Sequence, residues 1–307
     1  MILQKPVILL FGKNGQVGFE LQRALSPLGL VHAFGRQDCD LANLSQDLSQ
    51  VRETVRQLRP DIIVNASAYT AVDKAESEPQ VAYLINAAVP SALAEEAASI
   101  GALLVHYSTD YVFDGKQSGW YVEDDIPNPQ SVYGASKLAG ENGIAAAGCR
   151  NLIFRTSWVF GAHGGNFAKT ILRLAKERES LNVIADQYGA PTSAHLIADV
   201  TAQVIAQYWN EVNRESFPYG IYHLVAAGET TWYEYAKYVI AYAEKAGIEL
   251  RLKSSAIEAI PSINYPLPAP RPSNSKLDSG KLRKTFDLTL PDWHQDMVPV
   301  LEKIITV

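Results

Sequence analysis

Residues 7–18 read Val-Ile-Leu-Leu-Phe-Gly-Lys-Asn-Gly-Gln-Val-Gly. The five apolar residues from Val7 to Phe11 have the length and composition of a buried strand. Glycines follow at 12, 15 and 18, and Gln16 to Leu25 carries helical spacing. Each glycine has a job in a strand–turn–helix. Gly12 permits the tight turn, Gly15 lets the backbone approach a pyrophosphate, and Gly18 lets the helix pack on the sheet. Free N–H groups at the helix N-terminus, with the helix dipole behind them, favour an anion. Gly12, Asn14, Gly15, Gln16, Val17 and Gly18 are therefore expected to hold the phosphates of a dinucleotide. The spacing is G-x-x-G-x-x-G, one residue longer than G-x-G-x-x-G. An ordinary glycine-rich turn is the competing reading.

Downstream, short apolar runs alternate with amphipathic stretches. Strands are expected at Gly29–Phe34, Asp61–Asn65, Ala102–Tyr107 and Leu152–Thr156. Helices are expected at Ser45–Leu58, with Ser45 as N-cap, at Pro79–Ser99 and at Tyr133–Ala147. Such alternation implies an α/β fold, a Rossmann-type doubly wound parallel sheet with helices on both faces. Beyond Thr156 the pattern loosens. Helices are expected at Phe167–Arg178, Ser193–Trp209 and Trp232–Ala246, then near Ser275–Lys284 and Pro291–Ile305, and strands at Leu181–Ile184 and Gly220–Leu224. Five prolines between Pro261 and Ser275 mark an ordered loop or lid. The expected plan is a nucleotide-binding domain over 1–156, to which the chain returns around 179–213. A smaller, interleaved α/β substrate domain takes most of 157–307.

Ligands in doubly wound sheets bind outside the carboxyl ends of the strands, so the functional residues are expected at those ends. The second strand ends at Gly35-Arg36-Gln37, with Arg36 where an NAD site usually carries an acid. That leans towards NADPH, with NADH open. Asp40 and Leu41 can line an adenine pocket. After the third strand come Ala66, Ala68, Tyr69 and Thr70, where small residues leave room for a cofactor. The fourth strand ends at Ser108-Thr109-Asp110. The helix after it carries Tyr133-Gly134-Ala135-Ser136-Lys137, a phenol and an ammonium on one helical face. A nearby cation lowers a phenol's pKa, and a positioned tyrosine can hand a proton to an oxygen. Y-x-x-x-K alone is a weak signal. With Thr109 it forms a Thr/Tyr/Lys set suited to carbonyl reduction by a nicotinamide. Trp158 can stack on a base or a sugar, and Arg271 can pair with a diphosphate.

Composition narrows the classes. The chain has 307 residues, 27 Lys and Arg against 33 Asp and Glu, and a formal net charge of −6. A mildly acidic chain with no basic run is not expected to bind nucleic acid. No run is long enough to span a bilayer and no signal peptide is visible, so a cytoplasmic protein is expected. Cys39 and Cys149 are read as reduced and structural, and the six histidines show no metal-ligand spacing.

The glycine turn, the Ser-Thr pair and Y-x-x-x-K resemble an extended short-chain dehydrogenase/reductase acting on nucleotide sugars. The strings GKNGQVGFEL (from Gly12), NASAYTAVDKAE (from Asn65), HYSTDYVFDG (from His106), VYGASKLAGE (from Val132), FRTSWVF (from Phe154) and DQYGAPT (from Asp186) go further. Together they are similar to the dTDP-4-dehydrorhamnose reductase family along essentially the whole chain, down to Arg271–Ser275. The resemblance implies reduction of the C4 ketone of dTDP-4-dehydro-β-L-rhamnose with NADPH or NADH, the last step of dTDP-L-rhamnose synthesis. Tyr133 would protonate the C4 oxygen, Lys137 would lower the Tyr133 pKa and hold the nicotinamide ribose, and Thr109 would bind the same oxygen. Asp110, Val72 and Trp158 would line the sugar pocket. Some members dimerise around Mg²⁺, which implies Glu20 as a ligand with a second near residues 194–196, where this chain has His195. Monomer and homodimer both stay open. Two other readings remain: a non-catalytic regulatory subunit of a methionine adenosyltransferase, and another nucleotide-sugar epimerase or dehydratase. A dehydratase would place Asp-Glu after the threonine, whereas here Asp110-Tyr111 follows Thr109.

Overall fold

The structure is a computed structural model that describes residues 5–43 and 48–306. Five parallel strands form in chain order: β1 (Val7–Phe11), β2 (Leu30–Phe34), β3 (Ile62–Asn65), β4 (Leu103–Thr109) and β5 (Arg150–Thr156). Gly220–His223 joins β5 as the sixth. The sheet order is β2-β1-β3-β4-β5 followed by Gly220–His223, with every pairing parallel. The order reverses at β1, between β2 and β3. A crevice therefore opens at the carboxyl ends of β1 and β3.

The strands are apolar on both sides because helices cover both faces. On one face Ile8, Leu10, Val64, Val105 and Phe154 pack with Leu21 and Leu25 of α1 (Gln16–Leu25) and with Ile197, Val204 and Tyr208 of the helix Ala194–Asn210. On the other, Leu9, Phe11, Ile63, Leu104 and Ile153 meet α2 (Ser49–Leu58) and the helices Val89–Ile100 and Val132–Ala146, through Val51, Val55, Leu93 and Ile144. The expected N-cap Ser45 lies outside the described residues. A second core gathers Phe160, Ile171, Val183, Tyr235, Val239, Ile257, Trp293 and Met297.

Three boundaries differ from expectation. The long helix predicted over Pro79–Ser99 is split into Pro79–Tyr83, a π-helical turn Leu84–Ala88 and Val89–Ile100. The π turn carries Asn86, whose amide clasps Tyr69: Oδ1 accepts from Tyr69 N (2.8 Å) and Nδ2 donates to Tyr69 O (3.1 Å). The helix predicted near Ser275–Lys284 spans Gly280–Phe286 instead, because the preceding residues run extended beside Tyr121 and bridge it at Leu277. Leu181–Ile184 lies within the segment expected to return to the first domain. It pairs instead with Ile257–Ile260, while Ala194–Asn210, Gly220–His223 and Gly280–Phe286 make the return.

Candidate active site

A cleft of about 1000 Å³ runs along the carboxyl ends of β1, β3, β4 and β5. Its first wall is the glycine turn. Gly12 sits at φ +88°, and a Cβ there would lie 2.6 Å from the Ala66 carbonyl and Ser67 N, so β1 and β3 touch backbone to backbone. Gly15 caps α1 in extended conformation, with no side chain bonded to the helix start and no acid in the first turn. The free N–H groups of that turn thus face the cleft without a side-chain acceptor, the arrangement that receives a phosphate. Asn14, Gly15, Gln16 and Val17 line it as expected. Gly18 does not. A Cβ on it would stand 2.0 Å from Gly12 O, so it serves close packing of helix on turn.

At one end the cleft is lined by Arg36, Asp40, Leu41 and Cys39. Lys13 Nζ pairs with Asp38 at 2.6 Å, and the same carboxylate accepts Gly35 N at 2.8 Å. Neither Lys13 nor Asp38 was singled out from sequence. The Asp38 carboxyl is held below its ordinary value first by Lys13 and then by Gly35 N. Ala66, Ala68, Thr70 and Val72 line the middle. Tyr69 does not line it: its hydroxyl donates to Glu78 (2.6 Å) and its backbone is held by Asn86.

Thr109, Asp110, Tyr133 and Lys137 meet on the floor. Thr109 caps the short 3₁₀ turn Asp110–Val112: its Oγ1 accepts Tyr111 N (3.2 Å) and donates to Asp110 Oδ1 (2.9 Å). Ser131 caps the helix Val132–Ala146, which sets Tyr133 and Lys137 one turn apart at its start. Tyr133 packs edge-on against Tyr111, with ring centroids 5.4 Å apart. Burial pushes the Tyr133 phenol up to about 12, against a lowering influence of Thr109 and with the negative charge of Asp110 adding to the rise. Lys137 is buried, and its ammonium donates to the Tyr107 carbonyl (2.6 Å) and faces His106 Nε2 at 3.2 Å. Burial brings it down to about 8, with Glu141 opposing. The lowering influence on Tyr133 in this structure is thus Thr109; the lysine expected from sequence to supply it is engaged by β4. Burial, then Lys137, holds His106 well below the usual imidazole value, so it is neutral.

A second cavity, about 760 Å³, shares Tyr111 and Trp158 with the first and is walled by Phe167, Trp232, Tyr265 and Arg178. Trp158 holds an unusual φ of +47°. It stacks on Trp232 at 3.7 Å and lies flush on Gly189, where a Cβ would come 2.6 Å from the ring. Arg271 lines this cavity, not the first. Its Nη2 donates to Asp73 (2.7 Å) and its Nη1 is buried without a partner. Ser108 Oγ, Asp110 Oδ2, Thr156 Oγ1 and Ser157 Oγ on the first cleft are likewise buried and unpartnered.

Glu20 lies away from both cavities. Its carboxylate meets Arg23 at 3.3 Å and His195 at 3.2 Å, and Arg23 also pairs with Asp199 at 2.6 Å. A guanidinium sits among these acids, and no group of three metal-ligating side chains occurs among the described residues. The expected Mg²⁺ site does not fit these residues. No helix among the described residues is long and apolar enough to cross a membrane.

The comparisons with known proteins agree with this geometry. The family model described as RmlD substrate binding domain matches residues 6–305. The chain is 52% identical to the dTDP-4-dehydrorhamnose reductase of Escherichia coli K12 over 299 residues, 97% of this chain and 98% of the relative. Among solved structures, a dTDP-4-dehydrorhamnose reductase from Clostridium acetobutylicum matches with a TM-score of 0.86 at 35% identity, covering 96% of this chain and 98% of that one. The Bacillus anthracis enzyme of the same name, solved in complex with NADP, matches with a TM-score of 0.85 at 34% identity, covering 98% and 100%. A glycine turn facing a crevice, a Thr/Tyr/Lys floor and likeness over nearly the full length converge: the chain belongs to the RmlD substrate binding domain family.

Proposed function

We propose that this chain is an NADPH-dependent reductase that converts the C4 ketone of dTDP-4-dehydro-β-L-rhamnose to the alcohol, the last step of dTDP-L-rhamnose synthesis. The observation that carries the reading is the meeting of Thr109, Tyr133 and Lys137 at the floor of a crevice whose other wall is the glycine turn. NADPH bound along that crevice supplies the hydride. Thr109 and Tyr133 hold the ketone oxygen, and Tyr133 gives it a proton. Lys137 lines the same floor and would hold the nicotinamide ribose. The hydroxyls of Ser108, Thr156 and Ser157 and the free Asp110 oxygen offer a sugar ring its partners. Arg271 Nη1 and Arg178 in the adjoining cavity suit the diphosphate, and Trp158 and Trp232 suit the sugar and base.

The same reading assigns 1–156, 194–224 and 277–290 to the dinucleotide unit and the remaining segments to the substrate unit. It carries a cytoplasmic location. A regulatory subunit has no use for the full set on the floor, and the carboxylate pair a dehydratase needs after Thr109 is missing because Tyr111 stands there.

The test is NADPH oxidation with dTDP-4-dehydro-β-L-rhamnose, wild type beside Tyr133→Phe. Wild-type turnover that falls roughly 10²–10⁴-fold in the variant is expected for the loss of a positioned acid. Folded wild type that binds NADPH and turns over nothing would sink the reading and favour the regulatory one.

A further inference from the structure

The segment Pro261–Ser275 walls the second cavity with Asn264, Tyr265, Leu267 and Arg271, and it is tied at both ends. Ser262 N and Oγ donate to the Asp186 carboxylate at 2.9 to 3.0 Å. At the other end the Asn274 amide donates to the Gln117 and Gly119 carbonyls (2.6 and 2.7 Å), and Ser275 N donates to Tyr188 O at 2.7 Å. Between these ties one carboxylate reaches across from the dinucleotide unit. Asp73 stands in the first turn of the short helix Val72–Ala75, one position after Val72, which lines the first cleft. Its Oδ1 accepts Ala269 N at 3.1 Å and its Oδ2 accepts Arg271 Nη2 at 2.7 Å. The guanidinium is gripped on one edge, while its other terminal nitrogen, Nη1, stays buried without a partner at the second cavity. Asp73 itself lines neither cavity. Both ends of the segment are held without it, so its bond to Arg271 does more than keep the segment in place.

We propose that Asp73 is a positioning residue for the nucleoside diphosphate: by holding Nη2 of Arg271 it presents Nη1 to the diphosphate in the second cavity. The inference rests on the reductase reading, which puts the diphosphate at Arg271. A guanidinium is a rigid planar fork, so fixing one nitrogen fixes the direction of the other. A long side chain ordered only by its ligand spends part of the binding energy on lost rotamer freedom, and a carboxylate that holds it beforehand removes that cost. The negative charge of Asp73 acts the other way, since it repels an incoming diphosphate. Its side chain is 39% exposed against 19% for Arg271, so water and salt screen that repulsion. The direction of a buried nitrogen is not screened, and orientation is expected to outweigh repulsion.

The test uses dTDP as the probe, with its affinity measured by calorimetry on wild type, Asp73→Asn, Arg271→Ala and the double variant. In Asp73→Asn the single amide oxygen stays with Ala269 N, and the amide nitrogen then faces the Arg271 donor with no acceptor to offer. The segment stays tied while the grip on Arg271 is lost. Affinity for dTDP is expected to fall roughly tenfold, the scale of one charge-assisted hydrogen bond. KM for the ketone substrate should rise by the same factor with kcat within about twofold of wild type, since the Thr109, Tyr133 and Lys137 floor is untouched. NADPH affinity, which reports an intact fold, should match wild type. Arg271→Ala alone should cost roughly 10–10²-fold in dTDP affinity, and adding Asp73→Asn to it should cost nothing further, because Asp73 acts through Arg271. Equal losses from Asp73→Asn with and without Arg271 would make Asp73 a structural tie and overturn the proposal. Tighter dTDP binding by Asp73→Asn would overturn it in favour of plain repulsion. An NADPH affinity lowered by the same factor as that for dTDP would place the effect in the fold and overturn it too. Wild type that binds NADPH but not dTDP would instead defeat the nucleotide-sugar reading itself.

Discussion

Replacing Gly12 by alanine isolates the contact on which the crevice is built. Two costs follow from the geometry. The first is conformational: Gly12 sits at φ +88°, in the left-handed region, where a side chain costs about 1–2 kcal/mol. The second is steric. The new Cβ would stand 2.6 Å from the Ala66 carbonyl and Ser67 N, at least about 0.8 Å inside ordinary contact, and all of these are backbone atoms with no flexible end to yield. Forced overpacking of this kind costs about 1–3 kcal/mol. The loss of chain entropy in the unfolded state returns only about 0.4–1 kcal/mol. Urea unfolding should therefore show Gly12→Ala less stable by about 2–4 kcal/mol. The displacement falls between the phosphate turn and the β3 end, and a shift near 1 Å in a positioned site costs on the order of 10²-fold. NADPH affinity measured by calorimetry should fall by about that factor. Gly101→Ala is the control. It has a similar φ of +72° with nothing within 4 Å of the new methyl. It should lose about 1–2 kcal/mol and bind NADPH as wild type does. Gly12→Ala with unaltered NADPH affinity, or Gly101→Ala weakened to the same degree, would refute the reasoning.

Three further outcomes can be checked with the same assays. Arg36 is exposed, with only a 3.9 Å contact to Asp40, and Lys13 is committed to Asp38. Arg36→Ala is expected to weaken NADPH roughly tenfold relative to NADH, about 1.4 kcal/mol for one lost phosphate contact. Glu141→Gln leaves the Arg155 guanidinium, 2% exposed and held by two bonds of 2.9 and 2.6 Å, without its counter-charge, so urea unfolding should register a loss of about 3–5 kcal/mol. Asp110 titrates higher in the folded chain (about 6) than its ordinary 3.8, so its contribution is fully present below about pH 3.8 and is lost as pH rises through 6. Asn cannot titrate and keeps the acceptor for Thr109. Asp110→Asn should thus match wild type near pH 4 and exceed it by up to about 3 kcal/mol at pH 8, and equal stability at both would remove the basis for the raised value.

The parts of this fold that were legible in the sequence are those governed by local backbone physics. A five-residue apolar run, glycines at three-residue spacing and a helix start define the β1–α1 turn without help from elsewhere. Tyr133 and Lys137 share a face because a helix puts them there. What the local pattern could not carry was the direction in which side chains spend their hydrogen bonds. Lys137 turns to a carbonyl and an imidazole on β4, about thirty positions earlier. Arg271 finds Asp73 across 198 positions, which places it at the second cavity. Glu20 was implied as a metal ligand by resemblance, yet Arg23 and Asp199 form a closed ion-pair group around it. The π turn at Leu84–Ala88 is invisible to a helical period. Asn86 within an alanine-rich stretch was the one available signal, since a polar side chain on a buried helix face needs a partner.

The distribution of unsatisfied groups argues for what the cleft receives. Seven buried side-chain atoms among the described residues lack a partner, and five of them, on Ser108, Asp110, Thr156, Ser157 and Arg271, line the two adjoining cavities. Elsewhere the buried charges are matched: Glu141 with Arg155, and Glu96 with Arg52 and Arg56. Trp158, in a backbone conformation that side chains rarely adopt, stands where the cavities join. An orphaned buried polar group costs about 1–3 kcal/mol, and strain of the Trp158 kind a similar amount. The molecule therefore concentrates its instability where a ligand can relieve it. The hydroxyls can give or take a hydrogen bond, Asp110 Oδ2 takes one, and Arg271 gives one next to a cation, Arg178, and a pair of stacked indoles. A dinucleotide alone would leave the second cavity unanswered, and a bare sugar would leave Arg271 Nη1 without a partner. A sugar carrying a nucleoside diphosphate, laid from the Tyr133 floor past Trp158 to Trp232, meets all of them at once.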